Sequence, residues 1–231
     1  PLVTVPTNGN TVIQGIYGTL TLSADGTAVY KSTPNLVTTG SVTDTFTYTI
    51  RDADGDQSTT TVKFNLTDSG LKVTSDSTAQ VFENALDTNP LPDGADLAPG
   101  TVTGSTPGSA AETVAGNLAG NTTGGVGGLT FTLQGGVNGT ISGTFGVLHL
   151  DTNGQYVYTL TSAPKTSPGA NNGADVVAGE TFTYEVKDSL GNTTTGNIKI
   201  TIVDDVPTAT ADVRSGIEGQ TITLNVLDND V

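Results

Sequence analysis

Y-G-T-L-T-L-S-A-D-G-T-A-V-Y, residues Tyr17–Tyr30, returns as F-G-V-L-H-L-D-T-N-G-Q-Y-V-Y at Phe145–Tyr158. In both stretches apolar and polar residues alternate, the period of a strand with one buried face. Leu20 and Leu22 point one way in the first copy, as do Leu148 and Leu150 in the second. Asp25-Gly26 and Asn153-Gly154 sit midway, and both dipeptides suit a tight hairpin turn with positive φ. One β-hairpin is written twice, and a repeat of this kind decides the architecture.

Working outward, D-T-F-T-Y-T-I-R-D-A-D-G-D at Asp44–Asp56 returns as E-T-F-T-Y-E-V-K-D-S-L-G-N at Glu180–Asn192. Phe46, Tyr48 and Ile50 form one strand face, repeated by Phe182, Tyr184 and Val186. Each copy closes on a further alternating strand: Val62, Phe64 and Leu66 in the first, Ile198, Ile200 and Ile202 in the second. Short strands separated by turn signals predict an all-β fold of tandem β-sandwich modules. The pattern weakens between Ala85 and Gly128, where short strands such as Gly100–Gly104 are expected among long loops. Residues 1–69 read as a partial module without opening strands, 70–205 as a complete module with long loops, and 206–231 as opening strands of a further one.

Composition agrees. The 231 residues include 44 threonines and 30 glycines, with 34% hydrophobic residues, which favours strands over helices. The formal net charge is -15, from 23 acidic and 8 basic residues. Such a surface repels phosphate backbones and anionic lipid heads, so neither nucleic acid nor membrane insertion is expected. It also opposes folding unless cations neutralise it. Absence of cysteine excludes a disulfide-stapled scaffold. No run approaches the ~20 apolar residues of a membrane span, and no signal peptide is evident, so an export signal would lie outside this sequence.

The acidic residues are not scattered evenly. I-R-D-A-D-G-D at Ile50–Asp56 sets Asp52, Asp54 and Asp56 at every second position. An EF-hand needs glycine at its sixth position and glutamate at its twelfth; counting from Asp52, these are Gln57 and Lys63, so that motif is excluded. Three carboxylates so close still repel one another unless neutralised, and oxygen ligands on a loop suit calcium. In the second copy the same positions are Asp188, Leu190 and Asn192. Asp68 and Asp204 follow the closing strands at matching positions, and Asp204 with Asp205 marks a module boundary. Glu83 and Glu218 come early in their modules, and both are expected near the sandwich end that carries the acidic loop. Asp25 and Asn153, by contrast, read as turn formers.

G-T-L-T-L-S-A-D-G, F-T-Y-T-I-R-D-A-D-G-D, V-D-D-V-P-T-A and N-V-L-D-N-D-V together resemble the VCBS and cadherin-like repeats of giant bacterial RTX adhesins. The resemblance covers most of the chain outside Ala85–Gly128. It implies Ig-like or cadherin-like sandwiches in tandem, Ca2+ in loops and linkers, and export by type I secretion. It further implies a bacterial cell-surface spacer that extends a ligand-binding tip in adhesion and biofilm formation. Leu190 departs from the acidic position of that pattern, which weakens the second loop site. The nonapeptide repeats of an RTX β-roll are not present: G-G-V-G-G-L-T-F has Leu129 where that motif needs aspartate.

Enzyme readings find little support. The single histidine, His149, lies on a strand between Leu148 and Leu150, and no P-loop, H-E-x-x-H or G-x-S-x-G occurs. The alternative function is a calcium-dependent ligand-binding module for glycan or ice, carried by the outward threonines Thr43, Thr45, Thr47 and Thr49. Partners are expected to be neighbouring modules of the same chain. The strand over Ile222–Val226 is also expected to complete the N-terminal module of a neighbouring chain, head to tail.

Overall fold

A computed structural model describes residues 4–88, 97–98, 103–165, 176–206 and 208–230. The chain divides into two compact units. Unit 1 comprises Pro1–Lys72, Thr123–Leu129 and Lys187–Thr194; unit 2 comprises Val73–Thr122, Thr130–Val186 and Thr195–Val231.

Unit 1 holds β1 (Asn10–Gln14), β2 (Gly18–Ser23), β3 (Ala28–Ser32), β4 (Ser41–Arg51) and β5 (Gln57–Thr67). The first three form one antiparallel sheet in the order β1-β2-β3, and β4 pairs with β5 in another. The repeated hairpin is β2–β3: Ala24, Asp25 and Gly26 make the turn, with φ of 88° at Gly26, and Asp25 Oδ1 accepts a 2.9 Å hydrogen bond from the Thr27 amide. Leu20 and Phe46 are the buried apolar centre.

The remaining strands are β6 (Lys72–Val73), β7 (Asp76–Phe82), β8 (Thr113–Asn117), β9 (Thr122–Thr123), β10 (Thr130–Leu133), β11 (Thr140–Ser142), β12 (Gly146–Leu150), β13 (Gln155–Leu160), β14 (Val176–Lys187) and β15 (Thr193–Val203). Two four-stranded sheets build unit 2, in the orders β10-β14-β15-β7 and β11-β12-β13-β8. Between them lies a continuous core in which Tyr158, Tyr184, Leu148, Leu160, Ile198 and Ile202 are wholly buried. The β12–β13 turn repeats that of β2–β3, with φ of 92° at Gly154 and Asn153 Oδ1 accepting from the Gln155 amide at 2.9 Å.

The sequence repeat therefore maps β1–β5 onto β11–β15, strand for strand. Among the described residues, unit 1 has no counterpart of β7, β8 or β10. The expected face of β4 is buried only at Phe46; Tyr48 is 38% and Ile50 62% exposed, whereas Tyr184 and Val186 are at 0%. In unit 2 β10 supplies Phe131, whose ring lies 6.4 Å from that of Tyr184. Cover, rather than strand pattern, makes the difference.

No strand includes residues 208–230, so the segment expected to open a further module carries no ladder; a strand exists only against a partner. Among the described residues of Ala85–Gly128 the strands are β8 and β9, and the strand expected at Gly100–Gly104 falls partly outside the described residues.

Candidate metal centre

The loop joining β4 to β5 is closed by its own first residue. The Asp52 amide donates to the Asp56 carbonyl at 3.1 Å, while Asp52 Oδ1 accepts from the amides of Gly55 and Asp56 at 3.0 and 2.8 Å. Gly55, at φ of 108°, permits the turn, and its Cα faces the Arg51 guanidinium. This geometry turns the carboxylates of Asp52, Asp54 and Asp56 together. Among the described residues they are the one trio of metal-ligating side chains whose oxygens all lie within 4.8 Å of one another, and all three are exposed. A hydrogen bond shared with Asp54 holds the Asp52 carboxyl below its usual range; slight burial opposes this, and the loop amides reinforce it.

The second copy shows what the same loop does without three acids. Asp188 Oδ1 accepts from the Leu190 and Asn192 amides at 3.0 and 2.9 Å. Asp188 Oδ2 accepts from the Asn192 side-chain amide at 3.0 Å and from the Val126 amide at 3.1 Å. Burial works against this carboxylate, but the hydrogen bonds led by Asn192 outweigh it and keep its pKa low. Asn192 Oδ1 is itself taken by the Asn35 amide at 3.1 Å. Here Asn192 supplies by amide donation what Asp56 cannot supply in the first loop.

A second acidic group lies at the end of β15. Parallel pairing of β7 with β15 sets Phe82 beside Val203, so the next residues, Glu83 and Asp204, are neighbours. Both are buried, at 7% and 6% exposure. Burial first, then the charge of Asp204 and a hydrogen bond shared with it, push the Glu83 pKa up to about 7. Glu83 Oε1 and Asn84 Oδ1 are buried with no hydrogen-bond partner. Asp205 instead clamps the loop above, accepting from the Ser105 amide at 2.7 Å and the Ser105 hydroxyl at 2.8 Å. Glu83 was expected at the sandwich end that carries the acidic loop. Parallel pairing places it instead beside the residue that follows the C-terminal end of β15.

Of the other acids, Asp68 caps a turn through the Gly70 amide at 3.0 Å. Glu218 is exposed, beside Gly219 at φ of 87°. Neither shares a trio with other acids among the described residues.

Two stacked antiparallel sheets, a repeated hairpin and a five-strand order are now in view for the N-terminal repeat. Residues 2–65 match the family model of the bacterial Ig domain. The match runs through β1–β4 and most of β5 and covers rather more than a quarter of the chain. Repetition of β1–β5 as β11–β15 carries the same plan into unit 2, so the fold is that of Ig-like β-sandwich modules in tandem. No curated protein matches the chain. Among the described residues, no helix is long and apolar enough to cross a membrane.

Each Ig-like module also contains a buried lock that the sequence reading had not singled out. In the first, Asp44 is 3% exposed and accepts from the Tyr30 hydroxyl at 2.5 Å and from the Ile16 and Tyr17 amides at 3.0 and 2.9 Å. In the second, Glu180 accepts from the Tyr158 hydroxyl and from the Thr144 and Phe145 amides. Gly18 and Gly146 leave room for these tyrosines, since a Cβ there would fall 2.6 and 2.4 Å from the two hydroxyls. The signal was legible: Asp44 and Glu180 head the F-T-Y strands on the inward side.

Other polar residues on the strands bond to their neighbours. His149 is exposed and held between Thr140 and Asp151, at 2.9 and 3.2 Å. The outward Thr43 and Thr49 hydroxyls bond across to Asn65 and Thr59, both at 2.8 Å.

Proposed function

We propose that the chain is a calcium-stabilised extender of a large bacterial surface adhesin. Its Ig-like modules act as spacers that hold a ligand-binding tip away from the cell, in adhesion and biofilm formation. The observation that carries this reading is Glu83, a buried carboxyl set against a second buried carboxyl, Asp204, with one oxygen that meets no donor. Burying a charge costs several kcal/mol unless it is paired. Calcium is suited to this role, because it takes six to eight oxygen ligands at flexible geometry. Glu83 and Asp204 follow the paired Phe82 and Val203 at the ends of β7 and β15, and Asn84 and Asp205 come next, so four oxygen-bearing side chains leave one strand end.

Asp52, Asp54 and Asp56 offer a second, exposed set. The wider balance agrees: 23 acidic residues face 8 basic ones, for a net charge of -15. Cations from solution therefore supply the neutralisation that lysine and arginine do not. A spacer needs stiffness more than chemistry, and a cation bound only by the folded state provides it. At ten times its dissociation constant each site contributes about 1.4 kcal/mol. The resemblance to RTX adhesin repeats supports type I export of the parent protein and a cell-surface location.

Calorimetry in excess EDTA and in excess calcium tests the reading. Calcium is expected to raise the melting temperature by several degrees. The Glu83→Gln variant separates ligand from packing. The Glu83 pKa is raised from 4.5 to about 7, so its protonated form is the stable one when buried, and stability is lost as pH rises through about 7. At pH 8 in EDTA, Glu83→Gln should therefore melt higher than the parent chain, yet gain less from calcium. Melting curves that ignore calcium would sink the proposal.

A further inference from the structure

We propose that residues Thr221–Asn225 of one chain add as a fourth strand to the β3 edge of a second copy. In unit 2, β8 pairs antiparallel with β13: Thr159 faces Thr113, Tyr158 faces Val114, Tyr156 faces Gly116 and Gln155 faces Asn117. β3 is the counterpart of β13, and among the described residues its far edge pairs with nothing. Val29 on that strand is 59% exposed.

The C-terminal segment carries the counterpart of β8. Q-T-I-T-L-N-V-L-D-N at Gln220–Asn229 parallels E-T-V-A-G-N-L-A-G-N at Glu112–Asn121, with Thr221 on Thr113, Ile222 on Val114 and Asn225 on Asn117. The turn that follows is shared as well. Asn117 Oδ1 accepts from the amide two residues on, at 2.9 Å, and Asn225 Oδ1 does the same at 3.2 Å. Yet Thr221–Asn225 lies in no ladder, and Ile222 and Leu224 are 51% and 38% exposed.

The register then sets the side chains against each other. Tyr158 facing Val114 becomes Tyr30 facing Ile222, an aromatic beside a β-branched residue, a favourable cross-strand pair. Tyr156 facing Gly116 becomes Ala28 facing Leu224. Gly116 has to be small, because a Cβ there would fall 2.4 Å from the Tyr156 ring. Alanine at position 28 removes that ring and leucine at 224 fills the space, so large and small exchange sides. The same Leu224 excludes the segment from the place of β8 on β13, where it would meet Tyr156. Donor and acceptor surfaces differ, so the contact is head to tail and extends rather than closing as a two-fold dimer.

The test uses two single-cysteine versions of this 231-residue chain, one of them carrying a mass tag, mixed under mild oxidation. The chain has no cysteine of its own. Val29→Cys and Thr223→Cys lie opposite each other on the outer face in this register, at a spacing a disulfide spans. They should give at least tenfold more tagged heterodimer than Val29→Cys mixed with Leu224→Cys, which is one residue off and faces inward. Sedimentation of the parent chain should show mass rising with concentration, and Leu224→Asp should abolish the rise. Equal heterodimer yields from the two mixtures, or a parent chain that stays monomeric at every concentration, would overturn the proposal.

Discussion

At the scale of single residues, the carboxylates divide by what surrounds them rather than by where they fall in the repeat. Asp44 shows one extreme. Burial works against its charge, but the Tyr30 hydroxyl and the Tyr17 and Ile16 amides outweigh that cost and hold its pKa below the ordinary 3.8. The unfolded chain therefore takes up the proton first as pH falls. Stability from Asp44 is full above about pH 3.8 and is lost as pH drops through the lower, folded value. Asp44→Asn should cost about 2 kcal/mol near neutrality, the worth of hydrogen bonds to a charged group. Because the variant has nothing to titrate there, the gap between its urea midpoint and that of the parent chain should shrink as pH falls below 3.8. A gap between the two that stays constant from pH 7 to pH 3 would show that Asp44 acts through shape alone. Asp44 was legible as an inward residue of an alternating strand. Its partner amides at Ile16 and Tyr17 were not, because they lie 28 and 27 residues away and only the folded sheets bring them near.

At the scale of elements, the two acidic loops form a matched comparison. Both close with the same amide-to-carboxylate turn, and they differ at two acidic positions, Asp54 against Leu190 and Asp56 against Asn192. Asn192 donates its side-chain amide to Asp188 Oδ2, so that loop neutralises itself. Asp56 brings a third charge instead. Asp56→Asn should give the first loop the side-chain amide that Asn192 supplies in the second. By isothermal titration the variant should bind one calcium fewer per chain, and in EDTA it should melt no lower than the parent. An unchanged stoichiometry would mean that calcium does not use this loop. The hairpin, the paired loops and the order β1–β5 were readable because each repeats with its period intact. The place of Glu83 was not readable, because it rests on the parallel pairing of β7 with β15. Sequence alternation fixes which face a residue takes, but not which neighbour its strand will choose.

At the scale of the whole molecule, the two units have unequal cores built from nearly the same strands. Unit 1 buries Leu20 and Phe46, while Phe64, Leu66 and Val62 on its closing strand are only partly covered. Unit 2 buries the corresponding Ile198, Ile200 and Ile202 to within 2% exposure and adds Phe131, Leu133 and Val81 from strands without counterparts in unit 1. Apolar surface removed from water is the main favourable term in folding, so unit 1 should be the weaker body. Scanning calorimetry should resolve two transitions at least about 5 °C apart, since ~1 kcal/mol moves a domain of this size by that much. Hydrogen exchange identifies them: amides of β4 and β5 should open at lower free energy than those of β14 and β15. Strand addition at β3 would act on the weaker unit only, so the lower transition alone should climb with protein concentration. A single transition, with β4 and β14 amides exchanging at one free energy, would mean that the sparse core of unit 1 draws its stability from elsewhere in the chain.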